Sequence, residues 1–262
     1  MIDMRHSGEE TRGSEAVRIV SLASGSKGNA TVVECGGSAV LVDCGVPCRT
    51  LKGRQVEAVL LTHSHVDHVS GLRRLLNRMD IPVYANMMTA EAVAHSCGIP
   101  ESAFICFENG QQFDVGPFSV RAFSIPHDTS DPVGFQVSVE GFTYFHGTDI
   151  GTPLDSIGLK LSEADAATLE SNHDPVMLRT SGRPPCLIQR IAGPRGHLSN
   201  EQACDLVRRF ASPRLKRLAL AHLSRDCNSP HIAESAMRAT LAEIGRSDVS
   251  LSILSQYEAV EI

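Results

Sequence analysis

The sequence predicts an α/β fold in which two stacked β-sheets are flanked by helices. Three observations carry the prediction. Short β-type runs separated by Gly/Ser clusters fill residues 17 to 62. Strand runs return between 113 and 148, after two helical stretches. From there to the end, helix and strand alternate.

Each element follows from its residues. "VRIVSL" (17–22), "ATVVEC" (30–35) and "SAVLVDC" (38–44) read as strands, and "VEAVLLT" (56–62) as a buried one. Leu72, Leu75, Leu76 and Met79 then fall at i, i+3, i+4, i+7, a helical period. "TAEAVAHS" (89–96) reads as a second short helix opening on Thr89 as N-cap. "FSVRAFSIP" alternates, and "GFQVSVEGFTYFHGTD" predicts a hairpin turning at Glu140-Gly141. Ser199 and Gln202 have capping-box spacing ahead of Ala203, Leu206, Val207 and Phe210. "RLALAHLS" (217–224) is a strand ending in His222. Ser229-Pro230 opens a last helix, and "VSLSIL" (249–254) closes with a strand. No internal repeat or low-complexity linker is visible.

The chain has 262 residues, 42% hydrophobic and 21% charged, which suits a single compact domain over residues 17–262. Residues 1–16 are polar and rich in Gly and Glu, and are expected to form a flexible tail. They lack the continuous apolar core of an export signal, and no run approaches a membrane span. A cytoplasmic protein without membrane contact is the expectation. Eight cysteines without a CxxC pair then read as free thiols. Cys44 and Cys48 could clip a metal, but two isolated thiols rarely do. The net charge of −6 argues against a non-specific nucleic-acid coat. Any phosphate substrate must be held by local charge.

The chemistry concentrates in "LLTHSHVDHVSGL" (60–72), where His63, His65, Asp67 and His68 fall within six residues. On a strand, His63 and His65 share one face, and a tight turn can swing Asp67 and His68 to the same cleft. Imidazole with carboxylate suits zinc, manganese or iron. Further candidates each follow a β-type run: His127, Asp149 and His222. Alone, they could be a turn cap, an Asx-turn residue and a packed strand-end histidine. Beside the cluster, they read as ligands carried on rigid strand ends.

"VDCG", "THSHVDH", His127, "GTDIG" and His222, in this order along nearly all of the chain, resemble the metallo-β-lactamase superfamily. The resemblance implies a four-layer αββα sandwich of two mixed sheets and two divalent metal ions, zinc or manganese, with iron or nickel possible alternatives. It places His63, His65 and His127 on one metal, Asp67, His68 and His222 on the other, and Asp149 between them. Asp43 would brace the histidine loop by hydrogen bonds.

Within the superfamily, "SLASGSKGN", "HDTSDPVGF", "LESNHDPVML", "GPRGHLSNEQA" and "AHLSRDCNSP" look like the YycJ/WalJ type of exonuclease. That resemblance implies a phosphodiesterase using a hydroxide held between two metals, with Asp67 and His197 as catalytic residues and His197 as proton donor to the leaving oxygen. It further implies DNA rather than RNA as partner and 5′→3′ degradation. Between Pro175 and Asn200 there are four arginines, at 179, 183, 190 and 195, and no Asp or Glu. Arg195, Ser199, Asn172 and His173 are the expected substrate contacts; the arginine fork and the helix start both favour phosphate. Hydrolysis of small cyclic or diester phosphates is the alternative; thioester hydrolysis and a non-catalytic scaffold rank below it. Flavodiiron proteins resemble the pattern but carry Glu where His65 stands. Ser64 replaces a frequently acidic position that is not a ligand, and Cys227-Asn228 departs from the family's usual turn.

Overall fold

A computed structural model describes residues 16–262. The tail expected over residues 1–16 therefore lies outside the described residues, apart from Ala16. The first sheet opens with three antiparallel strands, β1 (Arg18–Ala23), β2 (Ala30–Cys35) and β3 (Ser38–Val42). It continues in parallel through β4 (Ala58–Leu60), short helices α1 (Val66–Val69) and α2 (Leu72–Leu76), β5 (Val83–Asn86), α3 (Met87–Cys97) and β6 (Phe104–Phe107). The second sheet begins as an antiparallel meander, β7 (Gln112–Val115), β8 (Phe118–Ser124), β9 (Val133–Val139) and β10 (Phe142–Gly147). Next come α4 (Asp155–Ser162), β11 (Ala166–Glu170), α5 (Pro175–Arg179), α6 (Pro185–Ala192), α7 (Asn200–Phe210), β12 (Arg217–Ala221), α8 (Pro230–Glu243) and β13 (Ser250–Ile253). Strand β14 (Val260–Glu261) returns to pair with β1.

The strand orders are β14-β1-β2-β3-β4-β5-β6 and β13-β12-β11-β10-β9-β8-β7. Each sheet switches from antiparallel to parallel at one strand, β3 in the first and β10 in the second. The topology thus repeats, although the sequence shows no repeat. Side chains alternating along strands can diverge freely so long as each keeps its inward and outward apolar sets.

Three apolar layers hold the sandwich. Between the sheets lie Val33, Val42, Leu60, Phe118, Phe135, Val137 and Tyr144. Outside the first sheet, Leu41, Val59 and Val83 pack on Leu72, Leu75 and Val93 of the helices. Outside the second, Leu169, Leu218 and Leu220 pack on Ile157, Leu206, Met237 and Leu241. Burial on both faces explains why "VRIVSL" and "ATVVEC" are apolar runs rather than alternating ones.

Local rules account for most boundaries. The hairpin turns at Glu140 (φ 49°) and Gly141 (φ 79°), the left-handed pair a type I′ turn needs. Ser199 and Gln202 form the capping box, and Ser229 caps α8 ahead of Pro230. Two helix expectations need correction. The 72–79 period resolves into α2 alone, which ends at Leu76. Helix α3 opens at Met87, because Asn86 accepts from Thr89 N and takes the cap role that Thr89 was expected to fill. Among the described residues, no helix is long and apolar enough to cross a membrane.

Candidate metal centre

All of the expected ligands sit at the same end of the two sheets, in loops that follow strands. Asp43 follows β3, the His63–His68 loop follows β4, His127 follows β8, Asp149 follows β10 and His222 follows β12. Three of these residues hold left-handed backbone: Asp43 (φ 58°), Asp149 (φ 59°) and His222 (φ 56°). Such conformations cost a non-glycine residue on the order of 1 kcal/mol and persist where the surroundings over-determine them. Here they redirect the chain at the strand end while the side chain stays in the cleft.

The histidine loop is held from below. Asp43 Oδ1 accepts from Thr62 N at 2.9 Å, and Asp43 Oδ2 from Thr62 Oγ1 at 2.9 Å and from His68 Nδ1 at 2.7 Å. Asn29 braces it from the side. Its Nδ2 lies 3.3 Å from Asp67 Oδ2 and 2.9 Å from His68 Nε2. The chain passes so close here that a Cβ on Gly45 would lie 1.6 Å from the Asp67 carbonyl oxygen. Only glycine fits.

The donor atoms converge. Those of His63, His65 and His127 lie within 4.8 Å of one another, as do those of Asp67, His68 and His222, and those of His63, His68 and Asp149. His63 Nε2, Asp149 Oδ2 and His222 Nε2 are buried with no hydrogen-bond partner among the described residues. Orphaned buried atoms of this kind are costly unless something binds them. Imidazole and carboxylate donors left unsatisfied around a shared space fit divalent cations of the zinc, manganese or iron kind.

Electrostatics point the same way. Burial pushes His63 well below the usual imidazole range and lowers His65, which keeps both neutral as ligands must be. Burial opposes charge on His68 too, but Asp43 and Asp149 outweigh it and hold the imidazole up to about 10. His222 likewise rises despite burial, beside Asp149, Asp67 and Glu170. Burial disfavours the Asp149 carboxylate, yet His222 and His68 hold it well below the usual range. The pocket thus concentrates carboxylate charge that protons on His68 and His222, or a cation displacing those protons, would neutralise.

Glu170 is the residue that sequence reasoning missed. It ends β11, is fully buried, and binds four groups. Its Oε2 accepts from Ile150 N at 2.8 Å and Leu198 N at 3.0 Å; its Oε1 lies 2.9 Å from both His197 Nδ1 and His222 Nδ1. Burial works against its charge, but the histidines at 197 and 222 lower it to about 2. It therefore orients the His197 ring and the His222 ring together. The signal was faint: a lone Glu closing the apolar run "AATLE".

Behind it lies a buried amide network. Asn200 and Asn228 exchange hydrogen bonds, each Nδ2 2.9 Å from the other's Oδ1. Asn228 Nδ2 also reaches Ser171 O and Asn172 O, and Ser171 Oγ donates to Asn200 Oδ1. This ties the loop after β11 to the start of α7 and to the turn before α8. It gives the Cys227-Asn228 turn a structural job.

His65, Asp67, His127, Asp149 and His222 line a cavity of about 350 Å³, whose wall also includes Ser26, Asp128, Leu187, Arg190, Ile191 and His197. His197 Nδ1 is taken by Glu170, so Nε2 is the nitrogen left for a ligand. Helix α6 has no fully buried residue and presents Leu187 and Ile191 to the cavity. The expected substrate contacts are placed differently. Ser199 is buried as the α7 cap. Asn172 Nδ2 donates to His222 O at 2.7 Å, and Arg195 Nε donates to His127 O at 2.8 Å. His173 is buried and bridges Ser199. These four support the wall, whereas Arg190, paired with Asp128, forms part of it.

Comparison with known proteins agrees with this geometry. The profile of the Beta-lactamase superfamily domain matches residues 39–222. The exodeoxyribonuclease YycJ of Bacillus anthracis is 32% identical over 234 residues, covering 86% of this chain and 89% of that protein. The exodeoxyribonuclease WalJ of Streptococcus pneumoniae is 30% identical over 234 residues, covering 85% and 87%. Among solved structures, the metallo-β-lactamase fold protein YhfI from Bacillus subtilis superposes with a TM-score of 0.71 at 17% identity, over 94% of this chain and 100% of that one. The chain belongs to the metallo-β-lactamase superfamily, in its YycJ/WalJ branch.

Proposed function

We propose that the protein is a metal-dependent phosphodiesterase acting on nucleic acid, a DNA exonuclease that degrades from the 5′ end. One observation carries the reading. His197, held through Nδ1 by a buried carboxylate, shares a cavity wall with His65 and His127 of one converging ligand set, Asp67 and His222 of the other, and Asp149. The names of the YycJ and WalJ relatives favour DNA, and the 5′→3′ polarity rests on the resemblance to that branch.

Two divalent cations bound in these sets would supply an activated water at neutral pH and neutralise charge on the phosphate. Asp149, central to the cluster, would serve both sets. Asp67, with its carboxylate 24% exposed to the cavity, orients the attacking water. His197 rests beside Glu170, which outweighs burial and raises its pKa, so the charged ring is favoured and Nε2 is placed to give a proton to the leaving oxygen. Leu187 and Ile191 add apolar surface to the cavity wall, which would limit water around the reacting phosphate.

The test is a substrate panel. Protein loaded with manganese or zinc should shorten 5′- and 3′-labelled DNA from the 5′ end, in preference to RNA and to bis-p-nitrophenyl phosphate. Turnover of the small ester alone would overturn the exonuclease reading in favour of a small-diester phosphodiesterase. Two bound metals with no activity on any phosphodiester would favour a thioester hydrolase.

A further inference from the structure

Residues 44–78 hold six Arg and Lys but two Asp and Glu, a net +4 in a chain whose total is −6. Three of these cations gather on one concave surface. Arg49 lies in the 3-10 turn Cys48–Leu51, Arg74 on α2, and Arg78 just beyond it. With Pro47 and Cys48 they line a hollow of about 290 Å³ that contains no acidic residue. All three are exposed, and none has an ion pair or side-chain hydrogen bond among the described residues. Most other surface arginines among the described residues are matched, such as Arg18 with Glu34 and Glu261, Arg208 with Glu243, Arg209 with Asp155 and Arg214 with Asp165. Arg73, next in sequence, faces a different way, with its guanidinium near Gly98 at the end of α3.

Unmatched like charges repel, by about 0.2–0.5 kcal/mol for neighbours at this helical spacing. A lone surface arginine is ordinarily just solvated. Three around one hollow, with every carboxylate kept away, make a receptor for an anion with several charges. Guanidinium forks suit phosphate oxygens.

The hollow is also close to the catalytic cavity. Gly45 touches the backbone of Asp67, and Arg49 follows Gly45 by four residues, at most about 14 Å even fully extended. A stacked strand advances about 3.4 Å per nucleotide. A strand cut beside Asp67 would therefore reach Arg49 within about five nucleotides.

We infer that Arg49, Arg74 and Arg78 form a second nucleic-acid contact outside the cavity, gripping the phosphate backbone of the strand being degraded. This rests on the nuclease reading and adds a track that holds the substrate between cuts.

The test compares the full-length protein with a triple variant, Arg49→Gln, Arg74→Gln and Arg78→Gln, both in a His197→Ala background to stop turnover. Binding of a labelled single-stranded 20-mer is measured across a salt series. The triple variant should bind at least 10-fold more weakly at low salt, with a log–log salt slope smaller by about 2, since each phosphate contact on a single strand contributes about 0.7. The corresponding Arg→Lys triple variant should keep most of the slope. With His197 restored, turnover of bis-p-nitrophenyl phosphate should be unchanged while the KM for the 20-mer rises. Unchanged affinity and slope in the Gln variant would overturn this inference alone. Failure of the parent protein to bind the 20-mer would overturn the nuclease reading as well. Binding of phosphatidylserine vesicles through these arginines, with 20-mer affinity unaltered, would reassign the patch and overturn the inference.

Discussion

His68 and Asp43 form a fully buried pair, with Nδ1 2.7 Å from Oδ2. Donation of the Nδ1 proton fixes the tautomer and leaves Nε2 facing Asp67 and Asp149. Asp43→Asn should therefore weaken metal binding about 10–100-fold, the usual effect of losing such a support. Competition against a chelator measures it, and an unchanged affinity would remove Asp43 from any role in the site.

His197→Ala should lower kcat by roughly 10²–10⁴, the ordinary worth of a general acid. Metal content, read by elemental analysis, should stay at the parent level. Loss of metal would instead make His197 a ligand, an assignment its place in the Asp149, Glu170 and His222 group allows geometrically.

Glu170→Gln keeps an acceptor oxygen but removes the charge that holds His197. We expect kcat to fall about 10²-fold with KM changed no more than about threefold. A purely structural carboxylate would show itself by a lower melting temperature with kcat intact.

Acid stability should depend on His146. This ring is buried, its Nδ1 3.0 Å from Tyr144 Oη, and burial lowers it from 6.5 to about 4. Below pH 6.5 the unfolded chain takes up a proton that the folded protein refuses. Stability is thus lost as pH falls from 6.5 to 4, by up to about 1.4 kcal/mol per pH unit and about 3 kcal/mol in all. Urea titrations of the parent and of His146→Gln should converge as pH falls through that window. Parallel curves would show that His146 does not carry the effect.

Asn228→Ala should destabilise the fold by about 2–4 kcal/mol. It strips partners from Asn200 and from the carbonyls of Ser171 and Asn172, all buried. A loss under about 1 kcal/mol would mean that water substitutes for the amide.

What the sequence disclosed was what lies close along the chain. The histidine cluster announced itself by density, the capping box by spacing, and the hairpin by Glu140-Gly141. Long-range partners were hidden. Glu170 matters through His197 and His222, 27 and 52 residues away, so within its own window it is one acid after an apolar run. The arginines after Pro175 looked like a free basic stretch because their partners lie elsewhere: Arg183 pairs with Asp226 and Arg190 with Asp128. The three unmatched cations that share one hollow, Arg49, Arg74 and Arg78, lie a hundred residues earlier. Strands β5 and β6 escaped notice because each is four residues long, too short to show a period.

The switch from antiparallel to parallel pairing occurs at β3 and at β10, and each of these strands runs into the same tripeptide pattern, Asp43-Cys44-Gly45 and Asp149-Ile150-Gly151. The two aspartates share a backbone conformation to within one degree in φ. They occupy matching positions, each just past the strand at which its sheet changes to parallel pairing. The Asp43 carboxylate is scaffolding for the histidine loop; the Asp149 carboxylate lies in the cleft. The candidate metal centre thus lies where two sheets of the same pairing plan meet, each offering one such aspartate, once as architecture and once as chemistry.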